Sequence, residues 1–180
     1  MKEILNRALR IIGENGLGGV SVEATSITDA VRRLEMNTDT TPPHRILDEF
    51  RRQDLVTVTR LKGQIHFALT VKGIHRLQKA QLDTLNIATP ERWDNRWRMI
   101  TYDAPSSFRK QRYQLVTELK RLGFFMIKES TWVHPFPCYD VLSELVRYCS
   151  MQRYVTIAEI TRFDPVTAQK LARHYTDLPQ

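Results

Sequence analysis

The chain has 180 residues, 42% of them hydrophobic, with a formal charge of +7 and a sequence pI of about 9.6. That length suits one or two small domains and that apolar fraction fills ordinary cores, which excludes collagen-like, mucin-like and disordered chains. No apolar run is long enough to cross a bilayer and the N-terminus is amphipathic rather than a signal peptide, so the sequence predicts a cytoplasmic protein with no membrane partner.

The two cysteines, Cys138 and Cys149, have no metal-ligand spacing and form no disulfide framework; both read as packing residues. The positive charge is unevenly spread. Residues 1–39 carry a net −1, residues 40–80 a net +5, residues 92–128 a net +6 and residues 129–180 a net −1. Two basic blocks of this kind point towards nucleic acid more than the overall pI does.

Lys2 to Gly13 has one broad apolar face (Ile4, Leu5, Ala8, Leu9, Ile11, Ile12) and predicts a helix. Asn15-Gly16 is a stop signal, and Gly18-Gly19 keeps the chain in a turn. Val20 and Val22 suggest a short strand. Ser26 suits the N-cap of a second helix, Ile27 to Glu35, and Met36 to Thr40 is a polar turn. Thr41-Pro42-Pro43 opens a third helix, with Thr41 as cap and Pro42 in the first turn. Ile46, Leu47 and Phe50 form its buried stripe. The opposite face carries Thr41, His44, Arg45, Asp48 and Arg52, with Arg51 at its edge.

Leu55 to Arg60 and Ile65 to Leu69 alternate as two strands joined by Lys62-Gly63-Gln64, a hairpin with a basic tip. Thr70 then caps a helix from Val71 to about Leu85. Three helices and a hairpin in this order are the winged helix-turn-helix pattern, assigned to residues 1–86. Such a unit presents a capped helix to the major groove of double-stranded DNA and lays its hairpin along the backbone. The candidate DNA-binding residues are Thr41, His44, Arg45, Asp48, Arg51, Arg52, Arg60 and Lys62. Arg45 and His44 are the candidates for reading bases; Arg60 and Lys62 would meet phosphate.

Residues 87–95 form a linker that ends in an Asp94-Asn95 turn; Trp93 and Trp97 flank this turn as packing anchors between the halves. Arg96 to Tyr102 is a strand with Trp97, Met99 and Thr101 on one side and Arg98, Ile100 and Tyr102 on the other. It ends at Asp103, two residues before Pro105. Phe108 to Leu122 is helical, with Tyr113, Leu115, Val116, Leu119 and Leu122 as its apolar residues, and Gly123 stops it. Phe124 to Val133 is either one long bent strand or a hairpin. Cys138 to Cys149 is a helix, Tyr154 to Phe163 a strand and Pro165 to Tyr175 a terminal helix. Residues 96–180 therefore read as an α+β ferredoxin-like (βαββαβ-type) unit, whose uncovered sheet suggests self-pairing into a homodimer.

The segments Trp93-Asp94-Asn95-Arg96-Trp97-Arg98, Tyr102-Asp103-Ala104-Pro105, Leu119-Lys120-Arg121-Leu122-Gly123-Phe124 and Ser130-Thr131-Trp132-Val133-His134-Pro135 resemble the middle domain of PaaX-type transcriptional repressors. That domain is itself similar to the small ferredoxin-like nuclease of CRISPR adaptation. With a winged helix in front, the resemblance implies a shortened two-domain relative. It implies a repressor that binds a roughly palindromic operator as a homodimer, with half-sites about 34 Å apart or a multiple. The repressors carry a further C-terminal domain; little follows Phe163 here, which gives a small-molecule effector little support. The nuclease-like family implies an alternative, a metal-dependent nuclease in which Asp103 from each subunit holds a divalent ion such as magnesium. Asp103 equally suits the cap of the helix from Ser106 onward. No phosphate-binding glycine loop, His-rich metal motif or nucleophile elbow is present, so no cofactor and no catalytic residue are assigned. A third reading is an adaptor that grips DNA without sequence preference through Arg109 to Arg121.

Overall fold

The computed structural model describes residues 2–14, 19–36 and 41–179, apart from the Leu61 side chain. The Asn15-Gly16 stop, Gly18 and the end of the polar turn at residues 37–40 lie outside the described residues. The chain divides into two compact units, Met1–Asp83 and Thr84–Gln180.

The first unit runs α1 (Lys2–Glu14), β1 (Val20–Glu23), α2 (Ile27–Arg33), α3 (Pro43–Gln53), β2 (Val56–Leu61), β3 (Gln64–Leu69) and α4 (Val71–Thr84). Its antiparallel sheet has the order β1-β3-β2. The helical periodicity of α1 buries Leu5, Ala8, Leu9 and Ile12 in a core with Ala30, Val31, Ile46, Phe50, Ile65 and Phe67. Ser26 caps α2, its hydroxyl accepting the Asp29 N–H at 3.1 Å. Thr70 caps α4 in the same way through the Gly73 N–H at 3.0 Å. The two-residue hairpin turn needs positive φ at both positions, and Lys62 (46°) and Gly63 (82°) supply it.

The start of α3 differs from the sequence expectation. Thr41 is buried in an isolated β-bridge and does not cap the helix; the N-cap is Pro42, which makes no side-chain cap bond, and Pro43 takes the first helical position. A proline there loses nothing, because its absent N–H has no helical partner.

The second unit runs β4 (Trp97–Tyr102), one 3-10 turn (Ser106–Phe108), α5 (Arg109–Arg121), β5 (Phe125–Lys128), β6 (Thr131–His134), α6 (Tyr139–Tyr148), β7 (Val155–Ile160) and α7 (Pro165–His174). The sheet is antiparallel with order β5-β6-β4-β7, the ferredoxin-like arrangement. The segment left open between one strand and two is a hairpin of two four-residue strands turning at Glu129-Ser130, with a bulge between Met126 and Lys128. Ile100 pairs with Trp132 on one side and Ile157 on the other, and both Ile100 and Trp132 are buried, as are Leu115, Leu119, Leu142 and Leu145 of α5 and α6.

One residue of α5 departs from its expected place among the apolar positions, and one acidic residue is buried. Tyr113 is 75% exposed, and Glu118 is buried against Arg121, whose Nε donates to it at 2.6 Å. Residues 84–95 lie within this second unit: Arg121 Nη1 donates to the Leu85 carbonyl at 3.1 Å and Trp93 Nε1 to that of Pro135 at 2.9 Å. Trp93 stacks edge-on with Trp97, and Trp97 in turn meets Phe163 and Tyr175, so both tryptophans pack inside this unit.

Candidate nucleic-acid interface

The third helix, α3, buries Ile46, Leu47 and Phe50 and thereby turns His44, Arg45, Asp48, Arg51 and Arg52 to solvent. A groove of about 590 Å³ runs between the N-terminus of α2, the outer side of α3 and the β2–β3 hairpin. Leu47, Val58 and Ile65 give it apolar walls, and Ser26, Thr28, His44, Asp48, Arg51 and Arg60 bring polar groups to it.

Four of the sequence candidates, His44, Asp48, Arg51 and Arg60, therefore meet in one groove. Arg51, expected at the edge of the helix face, lines it. Arg45 is exposed but outside the lining, and Lys62 is exposed at the hairpin turn. Arg52 also lies outside it and is tied down: its Nε donates to Glu49 at 3.0 Å and its Nη2 makes a second, shorter bond to the same carboxylate. These bonds hold the Glu49 carboxyl below its ordinary range and the Arg52 guanidinium above its own. Thr41, being buried, does not reach the open face. Arg60 has a structural engagement as well, donating from Nη2 to the Thr25 carbonyl at 2.9 Å and so linking the hairpin to the segment before α2.

Ser26 and Thr28 were not among the sequence candidates. The signal for Ser26 was its capping pattern, which explains its place but not its neighbours. That the N-terminus of α2 forms one wall of the groove is a tertiary matter that no local pattern carries.

In the second unit, Asp103 is exposed at the end of β4, its N–H donating to the Tyr154 carbonyl at 2.9 Å. It does not cap the following helix. The 3-10 turn begins from Pro105 and α5 from Phe108, neither start with a side-chain cap. Pro105, extended at ψ 160°, separates the carboxylate from the helical N–H groups. Among the described residues no group of three or more His, Cys, Asp and Glu side chains is placed to hold a metal ion, so any ion at Asp103 would need ligands from elsewhere.

The Trp93–Arg98 stretch is a clasp. Arg98 is buried, and Asp94 accepts from its Nη1 at 2.8 Å and its Nη2 at 2.5 Å. Nη1 also reaches the carbonyls of Arg96 at 3.0 Å and Pro135 at 3.1 Å, and Glu159 stands 3.5 Å from Nη2. Hydrogen bonding to Arg98 holds the Asp94 carboxyl below the usual carboxylate range. Beside the clasp, burial lowers His134 to about 4 and raises the Cys138 thiol to about 12. His134 Nδ1 accepts the Phe136 N–H at 3.1 Å, which places the ring proton on Nε2.

Residues 90–172, which span this clasp, the whole four-stranded sheet and most of α7, match the family described as the PaaX protein central Cas2-like domain. The chain carries a PaaX-type Cas2-like domain. No curated protein matches the chain. The Cas2-like domain thus accounts for the second unit, and the groove of the first unit lies outside the matched residues. Among the described residues no helix is long and apolar enough to cross a membrane.

Proposed function

We propose that this chain is a PaaX-like transcriptional regulator of the cytoplasm: a sequence-specific repressor that binds double-stranded DNA as a homodimer on a palindromic operator. The first unit is read as a winged helix-turn-helix. The observation that carries this is the exposed outer side of α3, which meets the β2–β3 hairpin across a groove holding His44, Asp48, Arg51 and Arg60.

A helix laid in the major groove presents its first turns to base edges. His44 and Arg45 occupy the first turn of α3, Asp48 the second and Arg51 the start of the third, all exposed. Arg60 and Lys62 on the hairpin are set to meet phosphates, whose contacts position the protein without reading sequence. The Cas2-like domain supports the same reading through its family and supplies two sheet edges, β5 and β7, for pairing with a second copy.

The test is binding of the full chain to duplex DNA from upstream of its own coding region, against a scrambled duplex of equal length, with and without magnesium, with the DNA run on a gel afterwards. Preference for the upstream duplex, with the DNA intact, is the expected result, and Arg45→Ala and Arg51→Ala should each erode that preference. Equal affinity for both duplexes overturns sequence specificity. Magnesium-dependent cleavage that disappears in Asp103→Ala makes the chain a nuclease instead. Light scattering that finds only monomer, free and on DNA, overturns the dimer.

A further inference from the structure

Some of the basic side chains on the helices are paired within the chain. Arg33 pairs with Asp29 on α2, Arg52 with Glu49 on α3, Lys79 with Asp83 on α4 and Arg147 with Glu144 on α6. On α5, as on α1 and α7, most of the cations lack such a partner among the described residues, and α5 carries the most of them. Its single acidic residue, Glu118, is buried and takes Arg121. Arg109, Lys110 and Lys120 are exposed and have no ion pair among the described residues. At about 100° per residue, Arg109, Lys120, Tyr113, Thr117 and Lys110 fall within an arc of about 100°, and the stripe is about 16 Å long. All five are exposed, and Tyr113, at 75%, presents an aromatic ring and a phenol in the middle of the three cations.

We infer that this face of α5 is a second DNA contact, one that grips the phosphate backbone. The inference rests on the chain's being a DNA-binding protein. Charge complementarity names the occupant: three unneutralised cations on one helix face suit a polyanion with closely spaced charge, and duplex DNA offers one charge per about 1.7 Å of axis. The tyrosine adds a hydroxyl donor for a phosphate or sugar oxygen. Lacking base-reading geometry, the face contributes affinity and salt dependence but no discrimination.

The experiment measures affinity of the full chain for the upstream and scrambled duplexes over a series of salt concentrations. It compares the wild type with the triple variant Arg109→Ala, Lys110→Ala, Lys120→Ala and with the charge-keeping triple Arg109→Lys, Lys110→Arg, Lys120→Arg. If three phosphates are engaged, the wild type loses affinity about 40-fold more steeply than the alanine triple between about 50 and about 200 mM salt. The ratio of affinities for the two duplexes stays that of the wild type, and the charge-keeping triple behaves as the wild type does. Tyr113→Ala weakens binding to both duplexes alike. An alanine triple with the wild-type salt slope overturns the inference, and so does one that changes the preference between duplexes while keeping the slope. A wild type that binds both duplexes equally, with a slope that the alanine triple flattens, removes the operator reading and leaves this contact standing.

Discussion

Asp94 holds Arg98 by both carboxylate oxygens, at 2.8 and 2.5 Å, across the turn that leads into β4. The turn is built for this grip. Asn95 sits in the left-handed region at φ 58°, and the Asp94 carboxylate also accepts the Arg96 N–H at 3.1 Å, so the aspartate closes the turn and receives the arginine at once. Glu159, paired in register with Arg98 on β7, takes Arg96 Nη1 at 3.0 Å and completes the network. Asp94→Ala leaves a buried guanidinium that keeps only the longer contact with Glu159, at 3.5 Å, and destabilises the chain by about 2 kcal/mol. Chemical denaturation should show the midpoint drop, and Asp94→Asn should retain part of the loss because one oxygen still accepts.

His134 makes stability depend on pH. Burial lowers its folded value from 6.5 to about 4, so between those limits the unfolded chain binds a proton that the folded chain does not. Stability is therefore full above the unfolded value and falls as the pH drops towards about 4, by a total on the order of 3 kcal/mol. Asp94, whose folded value is also lowered, adds its own loss at more acidic pH still. Denaturation midpoints across pH 6.5 to about 4 should slope steeply for the wild type and less for His134→Gln.

Gly73 lies within α4, where alanine ordinarily favours a helix by about 1 kcal/mol. Here the sign reverses. A Cβ at Gly73 would collide with the backbone carbonyl of Leu55, an atom that cannot rotate away as the end of a side chain can. Gly73→Ala is expected to destabilise the chain by about 1–3 kcal/mol, read as a lower thermal midpoint. A neutral or raised midpoint would mean that α4 can move away from Leu55.

Arg51 and Arg52 are neighbours with opposite prospects. Arg51 lines the groove, whereas Arg52 is outside it and occupied by Glu49. Arg51→Ala should weaken binding to the upstream duplex about tenfold or more, a loss of 1–3 kcal/mol if a base edge is read. Arg52→Ala should change it little. Anisotropy titrations of the two variants side by side decide this, and equal losses would show that the face acts only through its charge.

The elements most legible in the sequence were those with an uninterrupted period. The apolar stripe of α1, the cap at Ser26 and the cap at Thr70 each rest on local chemistry and stand where that chemistry puts them, whereas the turn expected at Lys62-Gly63-Gln64 is one residue shorter, because Gln64 already pairs with Leu61. The β5–β6 hairpin was ambiguous because four-residue strands with a bulge between Met126 and Lys128 give too little alternation to count. At the start of α3 two adjacent prolines allowed two registers, and the burial of Thr41 selects the later one. On α5 residue type and position disagreed. Tyr113 lies about 200° from Leu115 and so points outward, while Glu118, three residues on from Leu115, points inward and needs Arg121 to be tolerated. At the candidate interface the exposed residues of α3 were legible from the helical wheel. The groove was not, because α2, α3 and the hairpin meet only in the fold.

The hydroxyl of Tyr175 lies 2.8 Å from the carbonyl oxygens of both Gly123 and Val133, sharing its one proton between them, and accepts the Phe125 N–H at 3.1 Å. A few residues on, the Pro179 carbonyl accepts the N–H of Trp93 at 3.0 Å. The path into the Cas2-like domain and the path out of it are thus sewn together at one neck. A domain closed in this way behaves as a cassette: polypeptide joined beyond Pro179 would emerge beside the segment that leads in, and a tug on either strand at the neck would be felt by the other.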